Sequence, residues 1–320
     1  MISEALFPRW RPMADVRPSS PSIELEPGGL RLRWLGTAGY IVETTRTVVL
    51  IDPFLSRPSL GKVATSRLKI DRAAIDRYVP KVVDAVCCGH AHYDHLLDAP
   101  TIAASRGARF MASATGTAFA RAENVDREKL VVVPAAGRTL TLGDLEIRFV
   151  SSLHGKILFG QVPAPGTLDV APKLPAHAWD YKMGGAFGIW IQAKKTDGSP
   201  GASLYHNGSA DLIDAELTGI HADVLVAGLA GRQGTPDYLA RLARCLSPKV
   251  VVPTHHDAFF APLAEGVRLL PGIDLRGFLQ ETRSLLPDAT RITPEYGEEI
   301  VVPADDPRAA KLRSGTGFVV

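Results

Sequence analysis

The stretch Gly89-His90-Ala91-His92-Tyr93-Asp94-His95 decides how this chain is read. Three of the nine histidines fall within six residues, with an aspartate among them. Neutral imidazole and carboxylate are ligands suited to Zn²⁺, Mn²⁺ or Fe²⁺. In extended backbone His90 and His92 point the same way, because side chains alternate with a period of two. They can grip one ion. Where the chain turns towards a helix, Asp94 and His95 can face a second. The N-terminus of that helix adds positive dipole character beside a bound anion or hydroxide. The cluster also follows a short apolar run, Ala85–Cys88, read as a buried strand, and loops at strand ends are where catalytic residues collect.

Three more segments carry histidines at expected strand ends. His154 follows the strand expected over Leu145–Ser151, in Ser-Leu-His-Gly. Alone it reads as an ordinary loop histidine; beside the cluster it reads as a ligand. His255 follows the strand expected over Lys249–Pro253, in Pro-Thr-His-His-Asp. Between them, His206-Asn207-Gly208-Ser209-Ala210-Asp211 closes the strand expected over Ala202–His206. His256 is assigned to the pocket, as a catalytic donor to an oxyanion, with a structural hydrogen-bonding role as the alternative. His206 is open between substrate contact and structure. Lys156 and Lys182 are candidates to reach a substrate phosphate, although lysines are usually solvated. His177 and His221 read as ordinary surface or loop histidines.

Outward from these loops the pattern is α/β. Further strands are expected over Leu30–Leu35, Gly39–Glu43, Thr47–Ile51, Arg109–Ala112, Leu130–Val133, Ala186–Ala193 and Asp223–Ala227, with Asp52-Pro53 stopping the third. Helices are expected over Ile70–Tyr78, 97–106, 115–122, 235–246 and 278–286. Strands dominate the first half and strand–helix alternation follows, which implies β-sheets covered by helices. Residues 8–29 hold five prolines and two glycines, and 1–29 read as an extended N-terminal arm. The Pro/Gly-rich stretch 155–183 is long for a loop and carries Ile157, Leu158, Phe159, Trp179 and Tyr181, so it reads as an ordered lid. Residues 303–320 read as a C-terminal tail around a central 30–302 domain. Ligand candidates run from 90 to 255, so one site requires both halves of the chain in one unit.

Composition narrows the function. With 36 basic and 34 acidic side chains the net charge is +2, which lacks the basic footprint of nucleic-acid binding. No apolar run is long enough for a transmembrane helix, and residues 1–20 lack the apolar core of a secretory signal. Three cysteines, two of them adjacent at 87 and 88, make a poor disulfide framework, and a cytoplasmic location is expected.

The order Asp52-Pro53, His90-x-His92-x-Asp94-His95, His154, a Gly-containing strand end at 206–211, and His255 resembles the metallo-β-lactamase-fold hydrolases. The resemblance covers about residues 30–302. Tyr93, the start Trp34-Leu35-Gly36-Thr37-Ala38-Gly39 and Pro253-x-His255 look like one branch, which includes the ascorbate-phosphate lactonases and the N-acyl-phosphatidylethanolamine phospholipase D-like enzymes. The resemblance implies a four-layer αβ/βα sandwich with two divalent metal ions at one edge, zinc foremost and manganese, iron or nickel as alternatives. His90, His92 and His154 would hold the first ion and Asp94, His95 and His255 the second, with Asp52 orienting a ligand from behind. The family's bridging aspartate, in a Gly-Asp pair, is replaced here by Gly208-Ser209. Either Asp211 supplies the bridge or none exists; in its other role Asp211 caps a helix near 212–217.

The resulting expectation is a hydrolase in which a metal-activated hydroxide attacks a lactone, ester or phosphodiester of small-molecule or lipid-like character, with Asp94 or a water handling the proton. A catalytically weakened member that binds a ligand or partner is the alternative, resting on Ser209. The diiron redox members carry a glutamate where this chain has His92, which disfavours that reading. Substrate and oligomeric state are not legible.

Overall fold

The computed structural model describes residues 24–157 and 159–313, so most of the expected N-terminal arm, Leu158 and residues 314–320 lie outside the described residues. The chain first builds six strands of one sheet: β1 (Leu30–Gly36), β2 (Gly39–Glu43), β3 (Val48–Ile51), β4 (Ala85–Cys87), β5 (Arg109–Ala112) and β6 (Leu130–Val132). It then crosses to a second sheet: β7 (Arg138–Leu142), β8 (Leu145–Ser152), β9 (Ala186–Lys194), β10 (Pro200–Asn207), β11 (Val224–Gly228), β12 (Val250–Thr254) and β13 (Thr290–Arg291). Finally β14 (Glu299–Val302) and β15 (Lys311–Arg313) return to the first. The sheet orders are β15-β14-β1-β2-β3-β4-β5-β6 and β13-β12-β11-β10-β9-β8-β7.

Period-two alternation of apolar side chains builds the layers. Leu30, Leu32 and Trp34 of β1, Val49 and Ile51 of β3, and Ala85 and Cys87 of β4 pack between the sheets against Ile147, Phe149, Ile189, Leu204, Val224 and Val226. Their neighbours Leu50 and Val86 face the opposite side, with Ile75, Ile102 and Phe119. These come from the helices α2 (Arg72–Tyr78), α4 (Ala99–Arg106) and α5 (Ala114–Ala122), while the short α1 (Leu60–Thr65) and α3 (Tyr93–Leu96) sit in the loops after β3 and β4. On the second sheet Leu225 and Val251 meet Leu239, Leu242 and Leu246 of α6 (Tyr238–Leu246) and Phe278 of α7 (Leu275–Leu285). Strands buried on both faces need such continuous apolar runs, and the result is a four-layer αβ/βα sandwich.

The strand and helix expectations agree to within a few residues, and β7, β13, β14 and β15 are additions. The stretch expected as a tail contributes β15, which pairs antiparallel with β14. There Glu299 is fully buried and receives Arg33 from β1 and Arg313 from β15. No helix among the described residues is long and apolar enough to cross a membrane.

Parallel pairing of β3 with β4, and of β10, β11 and β12, brings the carboxyl ends of these strands to one edge of the sandwich. Three non-glycine residues just beyond them, Asp52, Ala210 and His255, have positive φ of 44°, 57° and 53°. Non-glycine residues rarely adopt this region, and such strain gathers at functional sites.

A buried ion pair braces this edge. Arg57 donates to Asp257 Oδ2 at 2.7 Å, to the Ala261 carbonyl at 2.7 Å and to Tyr296 OH at 2.9 Å. Asp257 Oδ1 accepts from the Thr37 N–H at 2.8 Å. Burial alone would raise the Asp257 carboxyl, but Arg57, His256 and Tyr296 together hold it below its ordinary pKa. Gly36, at φ +84°, leaves the space: a Cβ there would lie 2.2 Å from the Arg57 guanidinium. Arg57→Ala strands a buried carboxylate, and urea unfolding should show a loss of about 3–5 kcal/mol.

Candidate metal centre

Each histidine of the cluster is placed by a strand end. β4 ends at Cys87, and the backbone enters Gly89-His90, where the Gly89 N–H donates to Asp52 Oδ1 at 2.7 Å. The other oxygen of Asp52 accepts from His95 Nδ1 at 2.8 Å, so one carboxylate fixes both the start of the loop and an imidazole in α3. His154 follows β8 and pairs with Ala210 beyond β10. His255 follows β12, its N–H donating to the Thr37 carbonyl at 2.8 Å.

The outcome is two trios. One is His90, His92 and His154; the other is Asp94, His95 and His255; within each, one nitrogen or oxygen per residue lies within 4.8 Å of the others. In the first, the ring centroids are 4.7–4.8 Å apart and meet edge to face. The trios adjoin through His90 and His95, whose ring centroids are 3.8 Å apart.

Hydrogen bonds set the tautomers. His92 Nε2 donates to the Pro163 carbonyl at 2.8 Å and His154 Nδ1 to the Gly155 carbonyl at 2.7 Å. Their opposite nitrogens, His92 Nδ1 and His154 Nε2, therefore carry bare lone pairs, while His95 Nε2 lies 3.7 Å from Asp94 Oδ2. Metal-binding histidines are commonly held from behind in this way. Both nitrogens of His90 are buried without a partner, as are His255 Nδ1 and the Ser209 hydroxyl.

Electrostatics separates the trios. Burial, aided by the neighbouring imidazoles, pushes His90 far below its ordinary pKa and His154 down to about 3; burial also lowers His92. These three are neutral near pH 7. Burial would lower His95 too, but Asp52 and Asp94 outweigh it and raise its pKa. Asp94, despite burial, is held low by His95 and His255, and its Oδ2 accepts from His255 Nε2 at 3.2 Å. Buried imidazole lone pairs with no protein partner, beside an ionised carboxylate, fit a divalent cation.

Other expected residues fall elsewhere. Asp211 is not in either trio, which corrects its assignment as a ligand. Its Oδ1 accepts from the Leu212 N–H at 2.8 Å and lies 4.0 Å from Arg241. Nor does it cap a helix, since the short 3₁₀ turn Asp214–Leu217 begins after Ile213. His256 does not line the pocket: its ring is fully buried and stacks on Trp34 at 4.8 Å, with burial lowering its pKa to about 4. His206 is likewise buried and donates to the Ala38 carbonyl at 2.8 Å. Lys182 is absent from the cavity lining, whereas Lys156 is present.

A cavity of about 970 Å³ opens over His92, Asp94, His154 and His255. The 155–183 stretch forms one wall, through Lys156, Ile157, Pro163, Ala164, Ala178 and Trp179. Phe259, Phe260, Leu270 and Ile273 form another, and α1 contributes Leu60 and Val63. The sequence reading missed the second wall and α1. The signal available was Phe259-Phe260 only a few residues after His255.

A four-layer sandwich with five histidines and one aspartate gathered at the edge where both sheets end is a metallo-β-lactamase arrangement. The chain belongs to the beta-lactamase superfamily: the model described as "Beta-lactamase superfamily domain" matches residues 31–255. It is similar to a protein of Anaeromyxobacter dehalogenans named a UPF0173 metal-dependent hydrolase, 27% identical over 241 residues, 72% of this chain and 76% of that one. A relative of the same name in Thermodesulfovibrio yellowstonii is 28% identical over 250 residues, 75% of this chain and 82% of that one. Among solved structures, the metallo hydrolase Igni18 of Ignicoccus hospitalis superposes with a TM-score of 0.53 at 21% identity, covering 85% of this chain and 98% of that one.

The unpartnered His90 ring has a stability cost. In metal-stripped protein, His90→Leu should raise the urea unfolding free energy by about 1 kcal/mol or more, because it removes buried unsatisfied nitrogens. It should also lessen, without abolishing, the rise in Tm that added zinc gives the wild type, since the Asp94 trio remains.

Proposed function

We propose that the protein is a metal-dependent hydrolase whose substrate is a small or lipid-like molecule with a lactone, ester or phosphodiester bond and an apolar body. The observation that carries this reading is the meeting of two buried ligand trios with an apolar cavity directly above them. His90, His92 and His154 would hold one divalent ion and Asp94, His95 and His255 another, with Asp52 setting the orientation of His95. Zinc suits this histidine–carboxylate set, as do manganese, iron and nickel. A divalent ion bound there lowers the pKa of its water from about 15.7 to about 7 and polarises the bond under attack.

The chain's own residues do the rest. Asp94 is ionised and borders the cavity, so it can take the proton of the attacking water. Ile157, Trp179, Phe259 and Phe260 exclude water and hold the apolar body. Lys156, exposed at the rim, is placed to meet a negative group on the substrate. A cytoplasmic location is supported by three free cysteines, two of them buried.

The test is a panel of p-nitrophenyl acetate, p-nitrophenyl octanoate, a γ-lactone and bis(p-nitrophenyl) phosphate. Turnover of at least one should fall about 100-fold or more on chelation and in His92→Ala, and return with added metal only in the wild type. Activity that survives both treatments at the wild-type level rejects the reading. Phe260→Ala should raise KM for the octanoate ester about tenfold and leave the acetate ester nearly unchanged.

A further inference from the structure

We propose that the two trios load unequally: Asp94, His95 and His255 take the first divalent ion tightly, and His90, His92 and His154 take the second far more weakly. The inference rests on the reading of both trios as metal sites and adds their order of filling.

Charge is the first argument. The Asp94 trio contains a buried carboxylate, and a second carboxylate, Asp52, stands directly behind His95 at 2.8 Å. The His90 trio contains only imidazoles. Its outward hydrogen bonds, from His92 and His154, go to neutral backbone carbonyls. A carboxylate behind a histidine makes the ligand more basic than a carbonyl does. His90 leaves both ring nitrogens without a protein partner and His255 leaves Nδ1, so neither ring gains basicity from a group behind it and the difference stands.

Proximity is the second. The trios share a boundary at His90 and His95, 3.8 Å between ring centroids, in an interior where charges are poorly screened. A second cation must therefore settle beside the first. Only Asp94 offsets their repulsion from within the trios. Asp211 faces Arg241, and position 209 offers a neutral hydroxyl, buried and without a partner. No further carboxylate joins either trio among the described residues.

The experiment is a zinc titration of metal-stripped full-length protein in competition with a chromophoric chelator, with bound zinc counted by elemental analysis. The wild type should bind in two steps whose affinities differ by about tenfold or more. Asp94→Asn should remove the tight step and keep the weak one; His154→Ala should do the reverse. Asp52→Asn, which keeps a hydrogen-bonding group behind His95, should weaken the tight step alone by about 10–100-fold. Circular dichroism confirms that each variant is folded. Two steps of equal affinity, or a tight step that survives both Asp94→Asn and Asp52→Asn, overturn the inference while leaving the metal sites standing. No zinc bound by folded wild type overturns both.

Discussion

The site exists because two sheets pack face to face with their strand ends at one edge. His90, His92, Asp94 and His95 belong to the loop after β4, in the first sheet; His154 and His255 follow β8 and β12, in the second. Neither sheet can assemble a complete trio. Trp34, Ile51, Phe149, Ile189 and Val226, buried between the sheets, therefore hold the ligand-bearing loops in register. Asp52 performs the same service at close range, binding the Gly89 backbone and the His95 ring with one carboxylate. Its own positive φ shows that this placement is held by the surrounding structure against backbone preference.

The alternation of apolar residues along the strands made the layers legible in the sequence, and the dense spacing from His90 to His95 made the centre of the site legible. Each is a local signal: strand period and motif spacing survive without knowledge of the tertiary fold. The edge strands were not legible for the same reason. Thr290-Arg291 and Lys311–Arg313 are too short to show a period, and their strand character comes from the neighbours they pair with. Asp211 and His256 went wrong as site residues, and the choice left open for His206 falls to structure, because adjacency to a motif does not fix side-chain direction. His206 lies on β10, where a shift of one residue reverses the face, and it points under the Ala38 turn rather than to the cavity. His256 follows a residue with positive φ, and the turn carries its ring onto Trp34.

The Arg57–Asp257–Tyr296 network was invisible in sequence for a different reason. It joins residues 200 and 239 positions from Arg57 in the chain, and no pattern around Ser56-Arg57 announces it. Its physical role is clear once seen. Asp257 lies two residues after His255, and its other oxygen holds Thr37, whose carbonyl in turn receives the His255 N–H. The network thus fixes the backbone that presents a ligand. It achieves by a buried charge pair what Asp52 achieves on the opposite sheet by a single carboxylate.

The pairing of β1 with β14 has a consequence for how the molecule is made. Leu30 lies opposite Val302, so the first described strand, which pairs with β2 at once, gains its second neighbour only after nearly the whole domain has been synthesised. Contacts so distant along the chain are slow to form, since their loop-closure entropy is met late. Until then one side of β1 is an unpaired edge, open to other chains. The nascent protein therefore carries one open edge on its earliest described strand until residues 299–302 arrive to close it.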